Sequence, residues 1–218
     1  GRAIAVELAR SGARVAIHHH DSAREADELA RTLDGAIVVS ADLSDASSPA
    51  RLVDEVTQRL GSIELLVNSA AGYRRTPLAE LTDEHWDAML ALNLSAPMRL
   101  IRAAVPAGAR AIVNILDVAA WQPWPNYLAY STAKAGLWHL TRCLALELAP
   151  NVRVNAVAPG TVAFPDDWTA ERRASQLARI PLARSGAPAD VARAVRFLLT
   201  EDYLTGVCIP VDGGAGLR

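Results

Sequence analysis

Short β-branched runs alternate with longer amphipathic stretches along the whole chain, and this alternation limits the possible folds more than any other feature. Strands are predicted at 15–18, 36–40, 63–67, 111–116, 152–157 and 207–211. Helices are predicted at 2–10, 22–33, 46–60, 83–104, 128–148, 166–178 and 189–199, with Thr82 as the cap of the fourth and Pro188 at the first position of the last. A strand followed by a helix and then another strand requires a crossover, so the strands run parallel and the helices cover both sheet faces. The expected class is α/β, a doubly wound parallel sheet forming a single domain over 1–218, without repeats or linkers. Sheets of this kind open on a strand and a Gly-rich turn. The helix at 2–10 follows directly on Gly1, so a strand and most of such a turn are expected ahead of it. The connection at 106–111 is short for a helix-to-strand link.

A hydrophobic fraction of 51% over 218 residues is enough for a sizeable core and argues against disorder. The net charge of −2 creates no positive field, so no nucleic-acid partner is expected. The apolar runs are broken well short of a membrane span and no leader is visible, which points to the cytoplasm. Cys143 and Cys208 lie in apolar runs outside any metal-binding spacing and read as buried thiols. His18, His19 and His20 alternate faces along a strand and cannot converge on one ion, so no metal site is expected.

Chemistry concentrates around Tyr130 and Lys134. Their spacing of four puts both on one helix face, where an ammonium is expected to lower the phenol pKa and fit it for proton transfer. The strand before that helix delivers Asp117 to the sheet edge where ligands bind in such folds. Two more strands end at the same edge, one in Asn68-Ser69-Ala70-Ala71-Gly72 and one in Val157-Ala158-Pro159-Gly160. Asn93 interrupts an apolar helix segment, and a buried amide needs partners.

These landmarks, with Asp42 and Val211-Asp212-Gly213-Gly214, together resemble the short-chain dehydrogenase/reductase family over essentially the whole chain. The resemblance implies a Rossmann fold that binds NAD(P)(H), as a homodimer or homotetramer joined through the helices near 83–104 and 128–148. It implies catalytic roles for Tyr130, Lys134 and Asn93, the last holding a water. Cofactor contacts are implied at Gly1, His19, His20, Asp21, Ser22, Asp42, Leu43, Asn68, Ser69, Ala70, Tyr130, Lys134, Pro159, Gly160 and Val162.

The family usually has Ser thirteen residues before the catalytic Tyr; this chain has Asp117, which donates to a carbonyl only when protonated. In this it resembles the pteridine reductase branch, as do the His18–Ser22 region and Tyr73, at the position of an aromatic that stacks on the pterin. That resemblance implies hydride transfer from NADP(H) to a dihydropterin or dihydrofolate C=N bond, with Tyr73, Asp117, Trp121 and Tyr130 on the substrate. Asp21, where the branch has Arg, leaves NAD(H) open. The alternatives are a carbonyl or alcohol oxidoreductase, such as a 3-oxoacyl carrier-protein reductase, and a non-catalytic cofactor-binding or structural protein.

Overall fold

The computed structural model describes residues 1–164 and 167–217. The elements follow the expected order: α1 (Arg2–Arg10), β1 (Ala16–His19), α2 (Ala23–Ala30), β2 (Ile37–Ser40), α3 (Ser48–Leu60), β3 (Leu65–Asn68), α4 (Asp83–Leu90), α5 (Ala96–Ala104), β4 (Ala111–Ile115), α6 (Leu128–Glu147), β5 (Arg153–Pro159), α7 (Ala170–Leu177), α8 (Pro188–Thr200) and β6 (Cys208–Val211). Asp166, at the start of the helix expected over 166–178, lies outside the described residues. Every pairing is parallel, in the order β1-β2 and β3-β4-β5-β6. The chain has the α/β architecture of a Rossmann-type fold.

Alternation along β4 sorts the helices onto two faces. Ala111 and Val113 point into a core with Ile4 of α1 and Val191, Val195 and Leu198 of α8. Ile112 points the other way, onto Ile101 of α5 and Ala145 of α6. A third core joins Val39 of β2 to Leu52, Val53 and Val56 of α3 and Leu100 of α5. Each fully buried Val, Leu or Ile among these contributes about 1.5–3 kcal/mol, which keeps the strand ends registered.

Between β1 and β3 lies a cleft of about 850 Å³. Its deep part is apolar, walled by Leu8, Val56, Leu66 and Leu100. The short 106–111 link closes through tight backbone bonds, Ala109 N–H to Ala104 O at 3.0 Å and Arg110 N–H to Glu64 O at 2.8 Å.

Two expectations are corrected here. The helix over 83–104 is not uniform, because Ala91–Ser95 forms a π turn between α4 and α5. Cys143 is exposed, not buried. Leu137, Thr141 and Ala145 form the buried stripe of α6 at intervals of four, and the apolar run also spans the outward face that carries Cys143 and Leu146.

Candidate active site

Asp117 leaves the end of β4 in extended conformation and caps a short 3₁₀ turn, its Oδ1 accepting the Ala119 N–H at 2.8 Å. Its Oδ2 accepts the Tyr130 hydroxyl at 3.1 Å. One turn along α6 from Tyr130, the Lys134 ammonium donates to the Ile115 carbonyl at 2.9 Å and lies 5.7 Å from the centre of the Tyr130 ring. Tyr130 and Lys134 are both buried.

Burial dominates the electrostatics of this group. It pushes the Asp117 carboxyl above the usual carboxylate range, against the opposing pull of the Ala119 and Tyr130 hydrogen bonds and the Lys134 charge. It lowers Lys134 to about 8, which Asp117 partly offsets. Tyr130 moves opposite to the expectation: burial first, and then the adjacent Asp117 carboxylate, raise its pKa. The lysine was expected to prevail, but the carboxylate receives the phenol proton directly. Tyr130 is therefore held protonated, as an acid.

The π turn places Asn93 beside this group. Its Nδ2 donates to the Met89 carbonyl at 3.0 Å, while Oδ1 is buried without a hydrogen-bond partner. A widened turn that frees polar groups is common at functional sites. Gly72 lies against it: a Cβ there would stand 3.1 Å from Met89 and 3.2 Å from Leu92, so the chain leaving β3 approaches closely only as glycine.

A buried polar chain fixes the end of β3. Asn68 Nδ2 donates to Asn114 Oδ1 at 2.8 Å, Asn114 Nδ2 to Thr141 Oγ1 at 2.9 Å, and Thr141 to the Leu137 carbonyl at 2.7 Å. Asn68 Oδ1 stays buried without a partner. Gly1, His19, Ser22, Leu43, Asn68, Ser69 and Ala70 all line the large cleft. Gly1 is at the start of α1, with Ser69 Oγ 3.9 Å from where its Cβ would be. Helix N-termini suit anions, so this side of the cleft fits a dinucleotide's phosphates, and the orphaned Asn68 and Asn93 oxygens supply buried acceptors nearer Tyr130. These residues would hold a nicotinamide cofactor, which would supply the hydride.

The other expected residues scatter around this frame. His18 turns inward, its Nε2 2.9 Å from the Ala41 carbonyl, while His20 pairs with exposed Asp21 at 3.3 Å. Asp42 closes its own turn, accepting from Ser44 N–H at 2.9 Å and Ser44 Oγ at 2.6 Å. Among the described residues, no group of three His, Cys, Asp or Glu side chains is placed to hold a metal ion. Pro159 ends β5, and Gly160 is pressed against the C-terminal turn, where a Cβ would come within 2.7 Å of Asp212. Val162 packs behind the same turn against Gly186. Trp168 stacks under Arg172, with the guanidinium 4.1 Å from its ring centre. Trp121 lines a groove of about 470 Å³ with Thr76, Leu78, Trp124 and Leu128.

Tyr73 does reach the site. Its ring stands edge-on to Tyr130, centres 5.5 Å apart, and stacks on Tyr127 at 4.9 Å. Tyr127 was not anticipated. Its position three residues before Tyr130, at the helix start, is the signal that would have found it.

A parallel sheet with a buried Tyr–Lys pair on α6, beside the strand end that delivers Asp117, is the arrangement of a nicotinamide-dependent oxidoreductase. A family model described as enoyl-(acyl carrier protein) reductase matches residues 1–216. The chain is 36% identical over 228 residues to the granaticin polyketide synthase putative ketoacyl reductase 2 of Streptomyces violaceoruber, covering 100% of this chain and 92% of that protein. It is 36% identical over 227 residues to a 3-oxoacyl-[acyl-carrier-protein] reductase of Synechocystis, covering 98% and 91%. It is 33% identical over 227 residues to one of Staphylococcus aureus, covering 98% and 92%. The chain belongs to the short-chain dehydrogenase/reductase family, and its activity is NAD(P)-dependent oxidoreduction. No helix among the described residues is long and apolar enough to cross a membrane.

Proposed function

We propose that this protein reduces a ketone carbonyl on an acyl or polyketide chain, using NADPH as hydride donor and Tyr130 as proton donor. The observation that carries the reading is the protonated Tyr130 hydroxyl held at 3.1 Å by Asp117. A phenol kept in its acid form suits reduction, in which the alkoxide needs a proton as hydride reaches carbon. The substrate oxygen competes with Asp117 for this hydroxyl. Lys134 then offsets the phenolate charge that follows proton transfer. The names of the relatives, ketoacyl and 3-oxoacyl reductases, support a carbonyl substrate over the pterin expected from Asp117 and Tyr73. We assign assembly as a homodimer or homotetramer to the outward faces of α4–α5 and α6, where Leu128 and Leu146 are exposed.

A second reading, reduction of a dihydropterin, is favoured by the Asp117 carboxylate, an acceptor for ring N–H groups, with Tyr73 beside it. NADPH oxidation with a 3-oxoacyl thioester and with a dihydropterin separates the two. Turnover of the thioester is expected; turnover of the pterin alone would overturn the first reading in favour of the second.

A further inference from the structure

Three of the four tyrosines in the chain, with Trp124, share one cluster at the mouth of the site. Tyr73 stacks on Tyr127 at 4.9 Å with planes 17° apart, and their hydroxyls are 3.0 Å apart. Trp124 stands edge-on to both rings, at 6.3 Å and 5.8 Å, and lies 6.1 Å from Tyr130. The reacting hydroxyl is thus approached through a box of aromatic faces and edges.

The two stacked rings are held differently. Tyr127 is fixed from several directions. Pro123 and Pro125 stiffen the loop before it, and Asn126 takes the left-handed conformation at φ 68°, which Asn tolerates better than most residues. Thr76 N–H donates to the Asn126 carbonyl at 2.7 Å, and Tyr127 N–H donates to the Trp124 carbonyl at 3.1 Å. Thr76 and Tyr127 also form a parallel bridge. Tyr73 lies outside any helix or strand and is 59% exposed. Tyr127 is a preset platform, and Tyr73 is the ring that covers it.

We propose that the Tyr127 face selects a ketone fused to a flat aromatic ring over a saturated one, which makes Tyr127 the specificity-determining residue of the ketone reduction proposed above. A planar substrate competes with Tyr73 for the Tyr127 face and then lies beside Tyr130 as Tyr73 does. A saturated skeleton presents no π-face and gains only the area it buries. The stacking advantage corresponds to roughly ten-fold in affinity or kcat/KM per ring.

The test pairs ligands of one skeleton that differ in planarity. NADPH-dependent turnover of 2-tetralone and 2-decalone gives the kcat/KM ratio, and calorimetric binding of 2-naphthol and decahydro-2-naphthol gives the same preference without turnover. The wild type is expected to favour the aromatic member about ten-fold in both. Tyr127→Leu is expected to bring both ratios near one, and Tyr127→Phe, which keeps the ring, to preserve them. Equal binding of the two alcohols by the wild type overturns the proposal, as does loss of preference in Tyr127→Phe. Failure of ketone reduction itself reads differently: neither ketone is turned over, while the naphthol preference and its loss in Tyr127→Leu persist.

Discussion

The Tyr130 hydroxyl donates a hydrogen bond to Asp117 Oδ2 at 3.1 Å, so the residue that must protonate substrate is bound to a carboxylate between turnovers. This bond sets the acid-base behaviour of the site, because the carboxylate and burial together stabilise the neutral phenol.

Replacing Asp117 therefore lowers the Tyr130 pKa. Ultraviolet titration of tyrosinate in Asp117→Ser is expected to show ionisation beginning at lower pH than in the parent. The same serine donates to a carbonyl without needing to be protonated, so ketone kcat/KM is expected to rise several-fold at pH 8. An unchanged titration would mean that burial alone holds Tyr130 neutral.

The pH profile of the parent follows from two groups. Burial raises Asp117, so the carboxylate that competes with the substrate oxygen for the Tyr130 hydroxyl forms only at higher pH than an ordinary one, and kcat/KM falls as it forms. Lys134 loses its charge near pH 8, which brings a second fall. Asp117→Ser is expected to remove the first decline and keep the second. A profile flat from pH 5 to 9 would contradict both assignments.

Lys134 costs stability in return for function. Its folded pKa of about 8 lies below the ordinary lysine value of 10.5, so the buried charge destabilises the fold by about 3 kcal/mol below pH 8. That cost fades as pH rises from 8 to 10.5. Lys134→Met also loses the hydrogen bond to Ile115, leaving a net gain of about 1–2 kcal/mol at pH 7. Thermal unfolding is expected to shift up by a few degrees at pH 7 and by less at pH 10, with most activity gone. Equal melting temperatures at pH 7 would show that the ammonium carries no such cost.

Asn114 holds the cofactor edge in place. Asn114→Leu strands the Asn68 amide N–H in the core and takes the donor from the Thr141 oxygen, whose own bond to Leu137 stays, at about 2–4 kcal/mol for the pair. Urea unfolding is expected to show that loss. In the double variant Asn114→Leu/Thr141→Val, with one fewer orphan, part of it should return. If the double variant is no more stable than the single one, the three side chains do not act as a chain.

Much of this was legible in the sequence because it depends on spacing. The strand and helix alternation fixed the parallel layers, and the family resemblance, which expects a residue facing the catalytic Tyr thirteen positions before it, pointed to Asp117. What depends on three-dimensional burial was not legible. The direction of the Tyr130 pKa turned on which charge is nearest in space, and helical spacing points to Lys134 whereas the fold supplies Asp117. The π turn at Asn93 is hidden because Met89 to Leu94 reads as an ordinary apolar helix. The position of Tyr127 three residues before Tyr130 is visible in the sequence, but its pairing with Tyr73 from 54 residues away is encoded by no local pattern.

The central claim is that hydride from the nicotinamide reaches a carbonyl carbon while Tyr130 protonates the oxygen. Reduction of a 3-oxoacyl thioester with NADPH deuterated at C4 on the transferred face measures this most directly. The account predicts deuterium at the carbinol carbon of the product. It also predicts that Tyr130→Phe lowers kcat by at least about 100-fold with cofactor affinity retained. Product without deuterium from either C4 face, or a Tyr130→Phe enzyme of undiminished rate, would contradict it.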